Sequence, residues 1–355
     1  MRDTNIDFME FDYSDVTIDK MITHIVGNSE RSEALLFSEG YTEYSEVAEE
    51  YLVKYLLQKF NAEDLYCFDP AKEFSINKVF YMATSIFEDP SQLVHFSKEL
   101  ANLLYENSNH PKIKESKFHV ALFNNLVIGD EVVTGLGLFK SEVETPFLRM
   151  IREGGQVKVT TEMGHSIKGL DKGLLVLNME KEEGYRCLLL DLKNPAMDTQ
   201  YWRDHYLKLH AINNEFHQTS EFMKITKDFI ADNMMDEFGI NRADQIDLLN
   251  KSVNYFKDHD RFDKRDFTES VFVQPEMVES FNQYNNQNKD RGSVEVVDSF
   301  PISNLAVKQQ AKIFKSVLKL DKNFHVYIHG DRSMIERGKD EDGKKYYKLF
   351  YERED

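Results

Sequence analysis

The apolar positions of this chain change period several times along its length. Residues 18–26 read as a strand, with a second short strand at 34–38. From Thr42 to Phe60 the spacing turns helical, carried by Tyr44, Val47, Tyr51, Tyr55 and Leu56. Ile76, Val79, Phe80, Ala83 and Phe87 predict a second helix. A third opens at Asp89-Pro90, a capping carboxylate followed by proline in the first turn, and buries Leu93, Phe96, Leu100 and Leu103. Beyond His110-Pro111 the period shortens. Segments 118–128, 132–140, 146–151, 157–161, 173–178 and 185–192 read as strands, separated by Gly, Asp and Glu clusters that suit antiparallel connections.

Residues 193–218 form a less regular crossing around the single tryptophan, Trp202. Two helices follow. Thr219 or Ser220 is positioned to cap the first, which carries Phe222, Ile225, Phe229 and Ile230 and stops near Gly239. Asn241 caps the second, with Ile246, Leu249, Val253 and Phe256 on one side. Further on, 267–273 alternates as a strand, Pro275 starts a helix to about Tyr284, and 294–297 reads as another strand. Ser303 caps a lysine-bearing helix whose apolar stripe is Val307, Ala311, Phe314 and Leu318. Phe324, Val326 and Ile328 then alternate with His325, Tyr327 and His329. Glu341-Asp342-Gly343 turns the chain into a last strand at 346–351. The expected fold is α+β: an N-terminal lobe (1–214) of helices on a mostly antiparallel sheet, a helical hairpin connection (215–267), and a small α/β C-terminal lobe (268–355).

Size and composition agree with this picture. The chain has 355 residues, 41% of them apolar, enough for about two domains with cores of their own. No run of about 18 apolar residues occurs, so no membrane contact is expected. The first residues lack the basic start and apolar stretch of a secretory signal. Cys67 and Cys187 lie far apart and fit lone thiols in a reducing, cytoplasmic setting.

Charge changes the functional picture. The formal net charge is -18, yet residues 308–348 hold eleven Lys/Arg against six Asp/Glu, a local net of +5. Lys308, Lys312, Lys315, Lys319 and Lys322 are spaced 4, 3, 4 and 3, which on one helix confines them to an arc of roughly 80°. Arg332, Arg337, Lys344, Lys345 and Lys348 extend the patch if the following hairpin lies beside that helix. These ten residues are the candidate DNA contacts, because cations that neutralise phosphates release counterions and bind with little sequence information. A solvated helix face is the plain alternative. The row His325, Tyr327 and His329 suits base stacking or a covered sheet face. Residues 1–307 carry about -21 by the same counting, with Glu30, Glu33, Glu39, Glu43, Glu46, Glu49 and Glu50 crowded early. That surface suits solubility or a basic protein partner.

Catalytic and metal motifs are missing. His205, His210 and His217, near Asp198, Asp204 and Glu215, do not follow compact zinc spacing and read as packing residues. Gly135-Leu-Gly-Leu-Phe-Lys-Ser141 lacks the interval of a phosphate loop, and its glycines read as close strand approaches. There is no HExxH, no GxSxG and no Cys–His pair. No enzyme activity, cofactor or metal is expected.

Several blocks together resemble the bacterial nucleoid-associated family known as the thirty-seven-kilodalton nucleoid proteins. They are Ile22-Thr-His-Ile-Val-Gly27, Leu35-Leu-Phe-Ser38, the 135–141 segment, Leu170-Asp-Lys-Gly-Leu-Leu-Val176, Tyr201-Trp-Arg-Asp204, Phe300-Pro301 and 316–325. The resemblance implies association with the nucleoid and non-enzymatic DNA binding, and supplies no binding residues. Combined with the charge inversion, it leads to an expected protein that grips the backbone of duplex DNA. The alternative is an acidic adaptor that recruits or restrains a basic DNA-processing protein. Homodimerisation would raise avidity by pairing two modest basic patches.

Overall fold

The structure is a computed structural model that describes residues 11–68, 77–142, 144–191, 200–288, 294–311, 317–320, 324–327, 334–351 and 353. The fold is α+β, and the chain divides into two compact units, Met1–Ile212 and Asn213–Asp355.

The first unit is built on a nine-stranded sheet. Its strands are β1 (Phe11–Asp12), β2 (Thr17–Val26), β3 (Leu35–Leu36), β4 (Leu65–Phe68), β5 (Ser116–Ile128) and β6 (Glu131–Ser141). A separate hairpin, β7 (Thr145–Glu153) and β8 (Gln156–Gly164), interrupts the series before β9 (Lys172–Leu177), β10 (Arg186–Asp191) and β11 (Leu209–Ala211). The spatial order is β11-β4-β10-β9-β6-β5-β2-β3, with β1 also on β5, and every pairing is antiparallel.

Both faces of this sheet are covered, which is why its strands read as nearly continuous apolar runs. Phe118, Val120, Leu138, Leu174 and Val176 point to one side, against Val79, Phe80 and Ala83 of α2 (Lys78–Glu88) and Leu93, Leu100 and Leu104 of α3 (Leu93–Asn107). Ala121, Phe123, Phe139, Leu175 and Leu177 point to the other, against Val53, Leu56 and Leu57 of α1 (Glu46–Leu57) and against Phe60. Burying each such large side chain contributes about 1.5–3 kcal/mol before chain entropy is charged against it. Asn77 caps α2 by accepting from the Val79 and Phe80 amides at 3.0 and 3.2 Å. Asp89 caps a short 3-10 turn, Pro90–Gln92, that leads into α3. The irregular crossing is a π-helix, Gln200–Leu207, whose Trp202 is fully buried against Tyr206.

The glycines of β6 are packing devices, as their spacing suggested. A Cβ on Gly137 would lie 2.2 Å from the Phe139 ring and 2.8 Å from Phe123. At the far end of β6, Lys140 is buried, and its cross-strand neighbour on β9 is Lys172, also buried. Lys140 Nζ lies 2.7 Å from Glu142 Oε1 and donates to the Tyr201 hydroxyl at 3.1 Å. Lys172 Nζ lies 2.5 Å from Asp191 Oδ1. The two ammonium groups are 5.6 and 5.4 Å from the centre of the Tyr201 ring. Desolvation pushes the pKa of Lys140 down, and Glu142 opposes that shift.

The second unit contains α4 (Glu215–Asp232), α5 (Met234–Phe238), α6 (Arg242–Asp258), α7 (Lys264–Val271), α8 (Pro275–Asn288) and α9 (Asn304–Ala311). Three small sheets accompany them: β12 (Arg261–Asp263) with β13 (Ser299–Pro301), β14 (Val317–Leu320) with β15 (Phe324–Tyr327), and β16 (Ile335–Lys339) with β17 (Lys345–Leu349). The core is aromatic: Phe222, Phe229, Phe256, Phe262, Phe267, Phe281 and Phe300 form one cluster, with Phe262 stacked between Phe256 and Phe300. The helices of 215–267 contribute to that same cluster.

Four local expectations are corrected. Asn214 caps α4, accepting from the His217 amide at 3.0 Å, so Thr219 and Ser220 sit inside the helix. That helix ends at Asp232, and the short α5 carries the chain to Gly239, whose φ of 64° closes it. Residues 267–273 are largely helical: Asp263 accepts from the Arg265 and Asp266 amides at 3.0 Å, and Phe267 and Val271, one turn apart, both enter the core. The segment 294–297 is not a strand, because Ser299–Pro301 pairs with β12 instead. Asn241 caps α6 with a full capping box, in line with its sequence.

Candidate nucleic-acid interface

Ser303 starts α9. Its hydroxyl accepts from the Ala306 amide at 3.2 Å, and its own amide donates to Thr219 Oγ1 of α4 at 3.1 Å. Ala306 and Val307 are buried, while Lys308 is exposed. The helix ends at Ala311, and Lys319 belongs to β14, directly opposite His325. The five lysines therefore do not share one helix face. Val317-Leu318-Lys319-Leu320 finds a cross-strand partner in Phe324–Tyr327, and that pairing overrides the helical tolerance of the lysines. Lys312, Lys315, Lys322, Arg332 and His329 lie outside the described residues, as do the side chains of Lys319, His325 and Tyr327.

The remaining candidates gather on the β16–β17 hairpin. Its register is Ile335↔Leu349, Glu336↔Lys348, Arg337↔Tyr347, Gly338↔Tyr346 and Lys339↔Lys345. Strand alternation gives the hairpin two faces. On one, Ile335 and Tyr347 pack with Ile246 of α6, and Arg337, Lys339 and Lys345 continue the row outward, all exposed. Lys339 and Lys345 are like charges directly opposite each other, an arrangement that costs stability unless an anion joins them. On the other face, Lys348 pairs with Glu336 at 3.4 Å and lies 5.6 Å from the Tyr346 ring centre. Tyr346 itself lies over Gly338, where an added Cβ would be 2.3 Å from the phenol.

At the turn, Asp340 Oδ1 accepts from the Asp342 and Lys344 amides at 3.1 and 2.7 Å, so that carboxylate serves the hairpin. Gly343 takes φ 79°, a conformation in which glycine is favoured. Among the described residues, Lys308, Arg337, Lys339, Lys344 and Lys345 form no ion pair. Lys339 and Tyr346 were not singled out from the sequence. Their signal was the period-two pattern across the turn, which sets Lys339 against Lys345 and Tyr346 against Gly338.

The histidine grouping does not assemble. His205 is in the π-helix, His210 on β11 and His217 in α4, and among the described residues no set of three His, Cys, Asp or Glu side chains is placed to hold a metal. Among those residues, no helix is long and apolar enough to cross a membrane.

Residues 22–346 match the family model described as nucleoid-associated protein YejK. The chain belongs to that family. No curated protein matches it. The match runs through both units and reaches into β17. Three of the family-like blocks, 135–141, 170–176 and 201–204, meet inside the first unit where Lys140, Lys172 and Tyr201 touch. Those blocks thus mark an interior of this nucleoid-associated protein, whereas its exposed cations lie elsewhere.

Proposed function

We propose that the chain acts on the nucleoid by binding duplex DNA through its C-terminal cations, with the β16–β17 hairpin as the main contact and Lys308 as an accessory one. The action is non-enzymatic and reads backbone and shape more than sequence. The observation that carries this reading is the exposed, directly opposed pair Lys339 and Lys345, flanked by Arg337 and Lys344 on a protein of net charge -18. Each of these ammonium groups can neutralise a backbone phosphate, while the acidic remainder of the surface disfavours DNA elsewhere. Glu341 and Asp342 at the turn favour approach along the hairpin flank over contact at its tip. Lys312, Lys315, Lys319, Lys322 and Arg332 belong to the same proposed surface through their sequence positions. Fluorescence anisotropy with labelled duplex across a salt series tests the reading. Affinity should fall steeply with salt, and absence of binding at low salt, or binding indifferent to salt, rejects it.

A second reading rests on a different feature. A cavity of about 530 Å³ between the β2 approach and α1 is lined by Glu46, Glu49, Glu50 and a single cation, Lys54, together with Tyr13, Val16 and Val53. An apolar floor with a carboxylate rim suits a basic segment of a DNA-processing protein. Co-purification of such a partner after nuclease treatment, lost in Glu46→Lys with Glu50→Lys, would support it. Retention by the double variant would reject it.

A further inference from the structure

Two cavities of the first unit meet around the start of α2. One, of about 370 Å³, lies between α2 and α3, with Tyr81, His95, Phe96, Glu99 and Glu106 in its lining. The other, of about 360 Å³, is lined by Asn77, Asn107, Asp204, His205 and Lys208. Lys78 and Leu103 belong to both, so the two share a wall. Each is of a size that takes part of a small ligand. The first offers an aromatic platform: the Phe96 ring is 6.0 Å from Tyr81 and 4.9 Å from His95, and Tyr81 is 56% exposed. The second offers cations. Lys78, His205 and Lys208 are exposed, and among the described residues none of them forms an ion pair. Asp204 is neutralised by Arg203 at 2.5 Å. Lys208 takes φ 55°, uncommon for a residue with a side chain, and Asn77 Nδ2, donating to the Leu207 carbonyl at 3.1 Å, ties that turn to the start of α2.

We propose that the paired cavities bind a free nucleoside diphosphate, with the base on the Tyr81–Phe96 platform and the phosphates between Lys78, His205 and Lys208. Lys78 and Tyr81 are three residues apart on α2 and so lie on one side of it, within reach of a single ligand. Unpaired lysines are out of keeping with a chain of net charge -18 and attract an anion to this one place. An exposed phenol beside a groove presents a π-face on which any base stacks. Glu99 and Glu106 decide between kinds of ligand. Ionised carboxylates only accept hydrogen bonds, so they suit the ribose hydroxyls of a nucleotide. They would repel the continuous phosphate row of a duplex. Glu106 already accepts from the Asn102 amide at 3.2 Å, and α3 holds both carboxylates on the side that carries Phe96 and Leu103. The site uses none of the cations assigned to DNA.

Isothermal titration calorimetry of the full-length chain with ADP, pyrophosphate and adenosine at low salt tests this. ADP should bind at a single site, more tightly than either fragment. Lys78→Ala and Lys208→Ala should each weaken ADP and pyrophosphate about tenfold. Tyr81→Ala should weaken ADP about tenfold and leave pyrophosphate unchanged, while Tyr81→Phe, which keeps the ring, should retain ADP. Circular dichroism melts of these variants should match wild type, since all three side chains are exposed. Absence of ADP binding at millimolar concentration overturns the proposal. So does ADP binding that Tyr81→Ala leaves intact, which marks a plain anion site, or binding lost in Lys345→Ala, which moves it to the C-terminal hairpin. A 5′-phosphorylated single-stranded oligonucleotide that binds more tightly than ADP through Tyr81 also overturns it, because the occupant is then a strand end.

Discussion

Lys140 and Lys172 stand directly opposite each other on β6 and β9, both shut away from solvent beneath the Tyr201 ring. Two buried cations side by side repel, so their stability depends on the carboxylates of Glu142 and Asp191 and on the Tyr201 π-face. Lys172→Met leaves the Asp191 carboxylate in the interior without its lysine and should cost about 3–5 kcal/mol in urea unfolding. Adding Asp191→Leu to that variant should recover most of the loss, because an apolar pair of similar volume replaces the ion pair. Tyr201→Phe removes only the hydroxyl that accepts from Lys140 and should cost about 1 kcal/mol.

Acid sensitivity should come from buried imidazoles. Burial first, then the neighbouring His165 and Lys117, push His119 down to about 4, and burial does the same for His24. Between pH 4 and 6.5 the unfolded chain binds protons that the folded one refuses. Stability is therefore complete above pH 6.5 and falls as pH drops toward 4, by about 3 kcal/mol for the fully buried His119. Asp64 runs the other way: burial raises its carboxyl to about 7, so its contribution weakens as pH rises from 3.8 to 7. Chemical unfolding at a series of pH values should show a shallower acid slope for His119→Asn and a steeper one for Asp64→Asn.

Gly137→Ala should destabilise by about 1–3 kcal/mol, because its methyl enters the space held by the Phe139 and Phe123 rings. Gly40→Ala meets no atom within 4 Å and should be close to silent. Equal melting temperatures for the two variants would contradict the packing described for β6.

For DNA, Lys345→Ala and Lys339→Ala should each lower affinity and make the salt slope shallower by about 0.9 for every phosphate left without its cation. Glu341→Gln with Asp342→Asn should raise affinity at low salt by relieving repulsion at the turn. Anisotropy titrations of the three variants beside wild type check both directions. Unchanged slopes would remove the hairpin from the interface.

The central sheet was legible because β5, β6, β9 and β10 carry nearly continuous apolar runs that only a doubly covered sheet can bury. Caps at Asn241, Asp89 and Ser303 were legible for the same local reason, a short polar side chain before an apolar period. Phe267-Thr-Glu-Ser-Val-Phe-Val was not, since Phe267 and Val271, four apart, satisfy both periods, and the Asp263 cap decides for helix. The lysine stripe misled because spacing describes a face only while the helix lasts, and Lys319 lies in β14. β4 and β11 were missed as strands of four and three residues, too short for a pattern. The burial of Lys140 has no local signal at all. It follows from the register that sets Lys172 across from it and Tyr201 above both.

That arrangement has a bearing on how relatives are recognised. The segments around Lys140, Lys172 and Tyr201 answer to the problem of neutralising two enclosed ammonium groups, whatever the protein grasps outside. Divergence in ligand would leave that fingerprint intact, and it would be written instead in the few side chains near Gly338 and Gly343.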